Sequence, residues 1–214
     1  MVIAIDGPGG VGKSTVARGV ADALQAAYLN TGAYYRAATI AALEAGADLD
    51  NPERVSAAVA TADLDFANDR MLLNGKDVSD ETRNPEVTAG VSRVSAIPEV
   101  RRLMVRSQQE WVARHGGHAV VEGRDIGTVV FPDAAVKVFL TATEEERARR
   151  RSLDQESEGQ GVGLIAEQLR RRDHFDSTRE TSPLMAAADA VTIDTTSFDA
   201  DEVIRIVLRL VEPV

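Results

Sequence analysis

Gly7-Pro8-Gly9-Gly10-Val11-Gly12-Lys13-Ser14 fits G-x4-G-K-[ST] at every fixed position. In a glycine-rich turn of this kind successive backbone N–H groups point inward, where they meet phosphate oxygens. Upstream, Val2–Asp6 is nearly all apolar and stops at the glycines, as a short buried strand does. Downstream, Val16, Val20, Ala23 and Leu24 recur at helical spacing, which predicts a helix over 13–27. Its positive N-terminal end is aimed at the same spot as the amides. Strand, glycine turn and helix open a β-α unit. Gly7, Pro8, Gly9, Gly10, Val11, Gly12, Lys13, Ser14 and Thr15 are therefore the candidate ATP-binding residues. Lys13 is the candidate catalytic group, reaching the β- and γ-phosphates, and the Ser14 hydroxyl is a candidate ligand for Mg²⁺ carried by ATP.

A phosphate loop alone does not say what the phosphate is used for. A net charge of −10 argues against a nucleic-acid backbone as the main partner. Cysteine is absent, which excludes disulfides and thiolate metal sites. The apolar run Val2-Ile3-Ala4-Ile5 is too short for a signal peptide or a membrane span, so a cytoplasmic location without membrane contact is expected. A guanine-reading Asn-Lys-x-Asp is missing. Asn74-Gly75-Lys76-Asp77 has the wrong order and reads as a hairpin turn, so it is a decoy.

The rest of the 214 residues fits an α/β chain carrying an insertion. A second strand is predicted over Ala27–Asn30, with helices over 32–45 and Pro52–Ala60. Residues 64–78 read as a small antiparallel element turning at Asn74-Gly75. Helices over 85–95 and 98–115 follow, then buried strands over 119–121, 136–140 and 190–193. Thr143-x-x-Glu146 and Asp199-x-x-Glu202 are capping boxes, the second opening a helix with Val203, Ile206, Val207 and Leu210 as its apolar stripe. Residues 154–163 hold three glycines and read as a flexible tip ahead of a helix over 164–176.

A small-molecule kinase needs a second anionic pocket and a cover that excludes water. Arg36, after the second strand, is a candidate clamp for an acceptor phosphate. Glu122 or Asp125, after a buried strand, would hold the water shell of magnesium. Arg147, Arg150 and Arg151 share one helix face and would stabilise transferring charge, although an Arg-rich helix end also complements its own dipole. Arg172, Asp176 and Arg179, spaced i, i+4, i+7, read on their own as a structural ladder.

Together, GPGGVGKST, TGAYYR, the insertion before Pro98, EGRDIGTVVFP and the Arg-rich segment resemble bacterial cytidylate kinases from residue 2 to about 211. The GRDIGTVVFP block is the most family-specific piece. The resemblance implies a P-loop NTPase fold, three-layer α/β/α with a parallel five-stranded sheet. The implied single domain has a core of 1–33, 99–146 and 164–214, an acceptor-binding insertion over about 34–98 and a short lid over about 147–163. It implies transfer of the ATP γ-phosphate to CMP and dCMP by a monomer. Residue by residue, Ser92, Arg101 and Asp125 match positions around the cytosine ring. Arg36, Arg124 and Arg172 match positions around the acceptor phosphate, and Asp176 and Arg179 the ribose end. Glu122 stands where some relatives carry Asp, keeping the charge with longer reach. Two rivals stay open: a kinase for another acceptor such as UMP, AMP, shikimate or dephospho-coenzyme A, and a module that senses ATP without transferring phosphate.

Overall fold

The computed structural model describes residues 1–153 and 161–211. The chain divides into two compact units, Met1–Leu29 with His115–Val214, and Asn30–Arg114. Most of the tip expected over 154–163 lies outside the described residues.

The first unit is built on a five-stranded parallel sheet in the order β2-β6-β1-β7-β8. Its strands are β1 (Val2–Asp6), β2 (Ala27–Asn30), β6 (Ala119–Gly123), β7 (Val136–Thr141) and β8 (Val191–Asp194). β1 is central, paired in parallel with β6 from Val2↔Ala119 to Asp6↔Gly123 and with β7 from Ile3↔Val136 to Asp6↔Phe139. A parallel strand is covered on both faces, which is why β1 and β6 read as apolar runs as far as Asp6 and Glu122. Among the described residues the α-helices here are α1 (Lys13–Leu24), α6 (Glu144–Ser152), α7 (Val162–Thr178) and α8 (Ala200–Val211). Ile3, Ile5, Val16, Val20, Val138, Leu140, Ile193, Val203 and Val207 form one buried cluster joining α1, the sheet and α8.

Two apolar stripes differ in detail from expectation. On α1 the buried apolar positions are Val16, Ala17, Val20 and Ala21, and Ala23 is exposed near the end of the helix, which stops at Leu24 with Gln25 left-handed (φ 51°). On α8, Val203 and Val207 are buried while Leu210 lies at the exposed C-terminal end. The Asp199 box forms in full, with Glu202 N donating to Asp199 Oδ1 (2.8 Å) and Asp199 N to Glu202 Oε2 (2.9 Å). The Thr143 box is only half made. Glu146 N donates to Thr143 Oγ1 (3.3 Å), but Thr143 N donates to Thr196 Oγ1 and the Glu146 carboxylate is taken by Arg149 and Arg150.

The second unit holds α2 (Thr31–Glu44), α3 (Pro52–Ala60), α4 (Pro85–Ala96), α5 (Pro98–Arg114) and an antiparallel sheet. That sheet runs β3 (Leu64–Ala67), β4 (Arg70–Leu73) and β5 (Lys76–Asp77). Asn74 (φ 51°) and Gly75 (φ 78°) make the expected hairpin, and Asn68-Asp69, also at positive φ, make the other. Lys76 and Asp77 pair with Glu81 and Arg70, so the Asn74–Asp77 string is spent within the hairpin, as its decoy reading requires. The unit takes in all of α2 and α5, because both pack on α3 and α4.

Among the described residues no helix is long and apolar enough to cross a membrane.

Candidate active site

β1 delivers the glycine turn to the end of the sheet, and α1 leaves from it. Gly7 sits where a Cβ would lie 2.3 Å from the Leu140 carbonyl oxygen, so no side chain fits between the turn and β7. Gly12, left-handed at φ 89°, caps α1. Lys13 is buried and its Nζ donates to the Pro8 carbonyl at 2.7 Å, folding the lysine back across the turn. Ser14 and Thr15 are exposed. Residues 10–16 line a cleft of about 430 Å³ with Arg150, Arg151, Thr195, Phe198 and Asp199.

Two arginines of α6 grip the back of this turn. Arg147 is buried. Its Nη1 donates to the Gly9 carbonyl (3.2 Å) and pairs with Asp173 of α7, whose Oδ1 accepts from Gly9 N (3.2 Å). One ion pair thus satisfies both backbone groups of Gly9. Arg150 donates to the Val11 carbonyl (3.3 Å), to Thr195 Oγ1 (2.9 Å) and to Thr195 O (2.6 Å), tying the loop after β8 to the turn. The shared helix face read from Arg147, Arg150 and Arg151 therefore does not bring all three into the cleft. Arg150 and Arg151 line it, and Arg147 is drawn beneath Gly9 by the carboxylate of Asp173.

At the ends of β6 and α7, three guanidiniums converge on one carboxylate. Arg124 Nε pairs with Asp176 Oδ2 at 3.1 Å, Arg179 Nη1 with Oδ1 at 3.6 Å, and Arg172 Nε lies 4.0 Å from Oδ2. α7 ends at Thr178, so Arg179 reaches Asp176 from extended backbone and also donates to Ser182 O (2.8 Å). Arg124 and Arg172 are close enough to Lys13 to act on it. Burial first, and then repulsion from Arg124, hold the Lys13 ammonium well below its ordinary pKa, with Glu122 pulling the other way. The arginine cluster and the phosphate loop thus share one electrostatic field.

Asp125 is buried at the start of a five-residue π-helical turn, Ile126–Val130, and its carbonyl accepts from Val129 N (2.9 Å). The turn is pinned by Asp6, the last residue of β1, whose two carboxylate oxygens accept from Ile126 N and Gly127 N at 2.8 Å each. Burial raises Asp6 to about 6 against the pull of these two amides.

Glu122, inside β6 and buried, accepts from the Tyr28 hydroxyl at 2.6 Å. Ser14 hydrogen-bonds the same hydroxyl, so the two candidate magnesium residues sit beside one another. Hard oxygen donors of this kind fit Mg²⁺ that keeps most of its waters and arrives with a polyphosphate. Among the described residues no group of three or more His, Asp or Glu would hold a metal unaided.

The second unit carries the remaining acceptor candidates. Arg36 Nη1 donates to Thr82 O (2.6 Å) and Thr88 Oγ1 (2.9 Å). Arg101 is buried, donates to Ser95 O (3.2 Å) and lies 5.3 Å from the Tyr35 ring centroid. Ser95 in turn donates to Ser92 O at 3.1 Å, so Ser92 and Arg101 belong to one local network.

Sequence reasoning did not single out Asp6, Tyr28, Asp173 or Thr195. A charged residue closing an apolar strand was the available signal for Asp6. Nothing in RRRD marked Asp173 apart from the other charges of its helix.

A phosphate loop on a parallel sheet, with guanidiniums gathered beside its lysine, defines a P-loop kinase. The shikimate kinase of Acinetobacter baumannii, solved with shikimate, shares the fold at a TM-score of 0.51 and 17% identity, covering 98% of this chain and 92% of that one. The family model described as cytidylate kinase matches residues 3–213. Cytidylate kinase of Mycobacterium avium is 51% identical over 210 residues, covering 95% of this chain and 92% of the relative. That of Rhodococcus jostii is 47% identical over 217 residues, covering 99% and 94%. The chain belongs to the cytidylate kinase family.

Proposed function

We propose that this chain transfers the γ-phosphate of ATP to CMP, and to dCMP, giving ADP and CDP or dCDP. The observation that carries the reading is the set of guanidiniums around Asp176, two of which act on Lys13. Arg124, Arg172 and Arg179 gather on Asp176 beside the phosphate loop and give the site a cationic border. An acceptor phosphate, a dianion near neutral pH, complements it and needs no general base. In this reading Arg124, Arg172 and Arg36 bind the acceptor phosphate, Asp176 and Arg179 the ribose end, and Ser92, Arg101 and Asp125 the cytosine.

Residues 7–15 bind the ATP phosphates through backbone amides, and Lys13 leaves the Pro8 carbonyl to meet the β- and γ-oxygens. Arg150 and Arg151 border the nucleotide and neutralise charge on the group in transit, while Arg147 keeps the turn in shape. Mg²⁺, when bound with ATP, draws charge from the phosphate oxygens; Ser14 would ligate it and Glu122 would hold its water. Catalysis is then placement and fixed charge. A cytoplasmic monomer belongs to the same reading, carried by the family resemblance.

A coupled assay of ADP release across CMP, dCMP, UMP, AMP and shikimate tests it. CMP and dCMP should give the highest kcat/KM. A higher value for any other acceptor would overturn the substrate, and ATP binding with no CDP formed in a single turnover would leave only a sensing module.

A further inference from the structure

Tyr28 lies in β2, and the mechanism above does not use it. Its hydroxyl donates to Glu122 Oε1 at 2.6 Å and accepts from the Ser14 hydroxyl. Its ring is held from the other side by Arg18 of α1, whose guanidinium carbon stands 4.5 Å from the ring centroid. The hydroxyl proton is thus given to Glu122.

We infer that Tyr28 is a positioning residue for the metal-bearing side of the nucleotide site, fixing the Ser14 hydroxyl and the Glu122 carboxylate through one shared oxygen. The inference rests on the assignment of Ser14 and Glu122 to the magnesium shell. A serine hydroxyl has one proton and two lone pairs. Once the proton is committed to Tyr28, the lone pairs are turned outward, the orientation in which the oxygen ligates a cation. A carboxylate has about four acceptor sites, and the tyrosine bond takes one of them and so sets the direction of Glu122. Outer partners of this kind set the direction and basicity of the groups that touch a metal or its water. The ring clamped by Arg18 makes the hydroxyl a fixed point instead of a rotor.

The test uses the full-length protein with a non-hydrolysable ATP analogue and Mn²⁺ as the spectroscopic probe, its binding read by electron paramagnetic resonance. Tyr28→Phe keeps the ring and its contact with Arg18 and removes only the oxygen. Mn²⁺ affinity of the protein–analogue complex should fall about 10-fold. Affinity for the analogue in EDTA should not change. In the Glu122→Gln background the same substitution should weaken Mn²⁺ binding by less than it does alone, because the two act through one bond. If Glu122→Gln weakens Mn²⁺ binding and Tyr28→Phe stays within about two-fold of wild type, the positioning role is wrong and the metal assignment survives. If neither variant changes it, both are wrong. An equal loss of analogue binding in EDTA would show a merely structural tyrosine and also overturn the inference.

Discussion

Asp173→Ala should destabilise this protein strongly, because it strands a buried arginine and frees the phosphate loop at Gly9. The carboxylate pairs with Arg147 and accepts from Gly9 N, and the two side chains are only 16% and 8% exposed. Removing one partner of a buried pair leaves the other charge stranded, which typically costs about 3–5 kcal/mol. Loss of the Gly9 bond adds roughly 1 kcal/mol. For a chain of this size each kcal/mol lowers Tm by roughly 2–4 °C, so a fall of about 10 °C is expected. Asp173→Asn, which keeps an acceptor for Gly9 N but not the charge, should lie between the variant and wild type. Replacing both partners, as Arg147→Met with Asp173→Leu, should recover much of the stability, since no buried charge is then unpaired. Its KM for ATP should stay raised, because nothing then holds Gly9 from either side. Thermal and urea unfolding of the four proteins measure this. An Asp173→Ala curve coincident with wild type, or a double variant no better than the single, would refute the reasoning.

Lys13→Ala should lower kcat by roughly 10²–10³, the effect of losing one preorganised electrostatic contact, and a purified variant turning over at near wild-type rate would remove that role. Asp6 carries a pH signature: its folded pKa of about 6 exceeds the ordinary 3.8, so its stabilising share is complete below pH 3.8 and lost as pH rises through 6. The shift corresponds to about 3 kcal/mol, to be read as a flatter pH dependence of urea unfolding for Asp6→Asn than for wild type between pH 4.5 and 7; parallel profiles would count against it. Gly19→Ala places a Cβ 2.3 Å from Ile204 Cδ1, so overpacking of roughly 1–3 kcal/mol should outweigh the gain in helix propensity of about 1 kcal/mol. Ile204→Val removes the offending methyl and should make the alanine harmless or favourable in a double-mutant cycle of unfolding free energies.

Local signals survived into the structure where a few neighbouring residues settle the matter. The glycine turn, the Asn74-Gly75 hairpin and the Asp199 box each need only backbone angles or a partner three residues away. The Thr143 box carries the same spacing and is half made, because Arg149, Arg150 and Thr196 compete for its groups. The face of α6 was illegible for a related reason. Its sequence, Glu144 to Ser152, holds one apolar residue, Ala148, so no stripe marks the inner side. Which arginine goes inward is decided by Asp173, distant in sequence and indistinguishable there from its charged neighbours. The resemblance named Arg124, Arg172, Asp176 and Arg179 as site residues, and their convergence is visible only in the fold. Tyr28 is one residue of a short strand in the sequence, and its partners Ser14 and Glu122 come from two other elements.

Burial first, and then the guanidiniums around Asp176, make Lys13 the soft member of the site. Arginine does not surrender its proton in a protein, so when guanidiniums and an ammonium crowd one buried region the lysine absorbs the strain. Its folded pKa is lowered, so the native state holds that proton less tightly than the unfolded chain. Below its folded pKa the unliganded lysine therefore detracts from stability, and the penalty fades as pH rises towards the ordinary value of 10.5. Phosphate brings the opposite sign. In the proposed function a bound polyphosphate would offset the repulsion from Arg124 and Arg172, favour the charged form of Lys13 and draw it from the Pro8 carbonyl. In the proposed reaction the same positive groups would hold the group in transit. An acceptor phosphate carries the sign that complements the guanidiniums gathered on Asp176, which is the physical reason to propose a phosphorylated acceptor there.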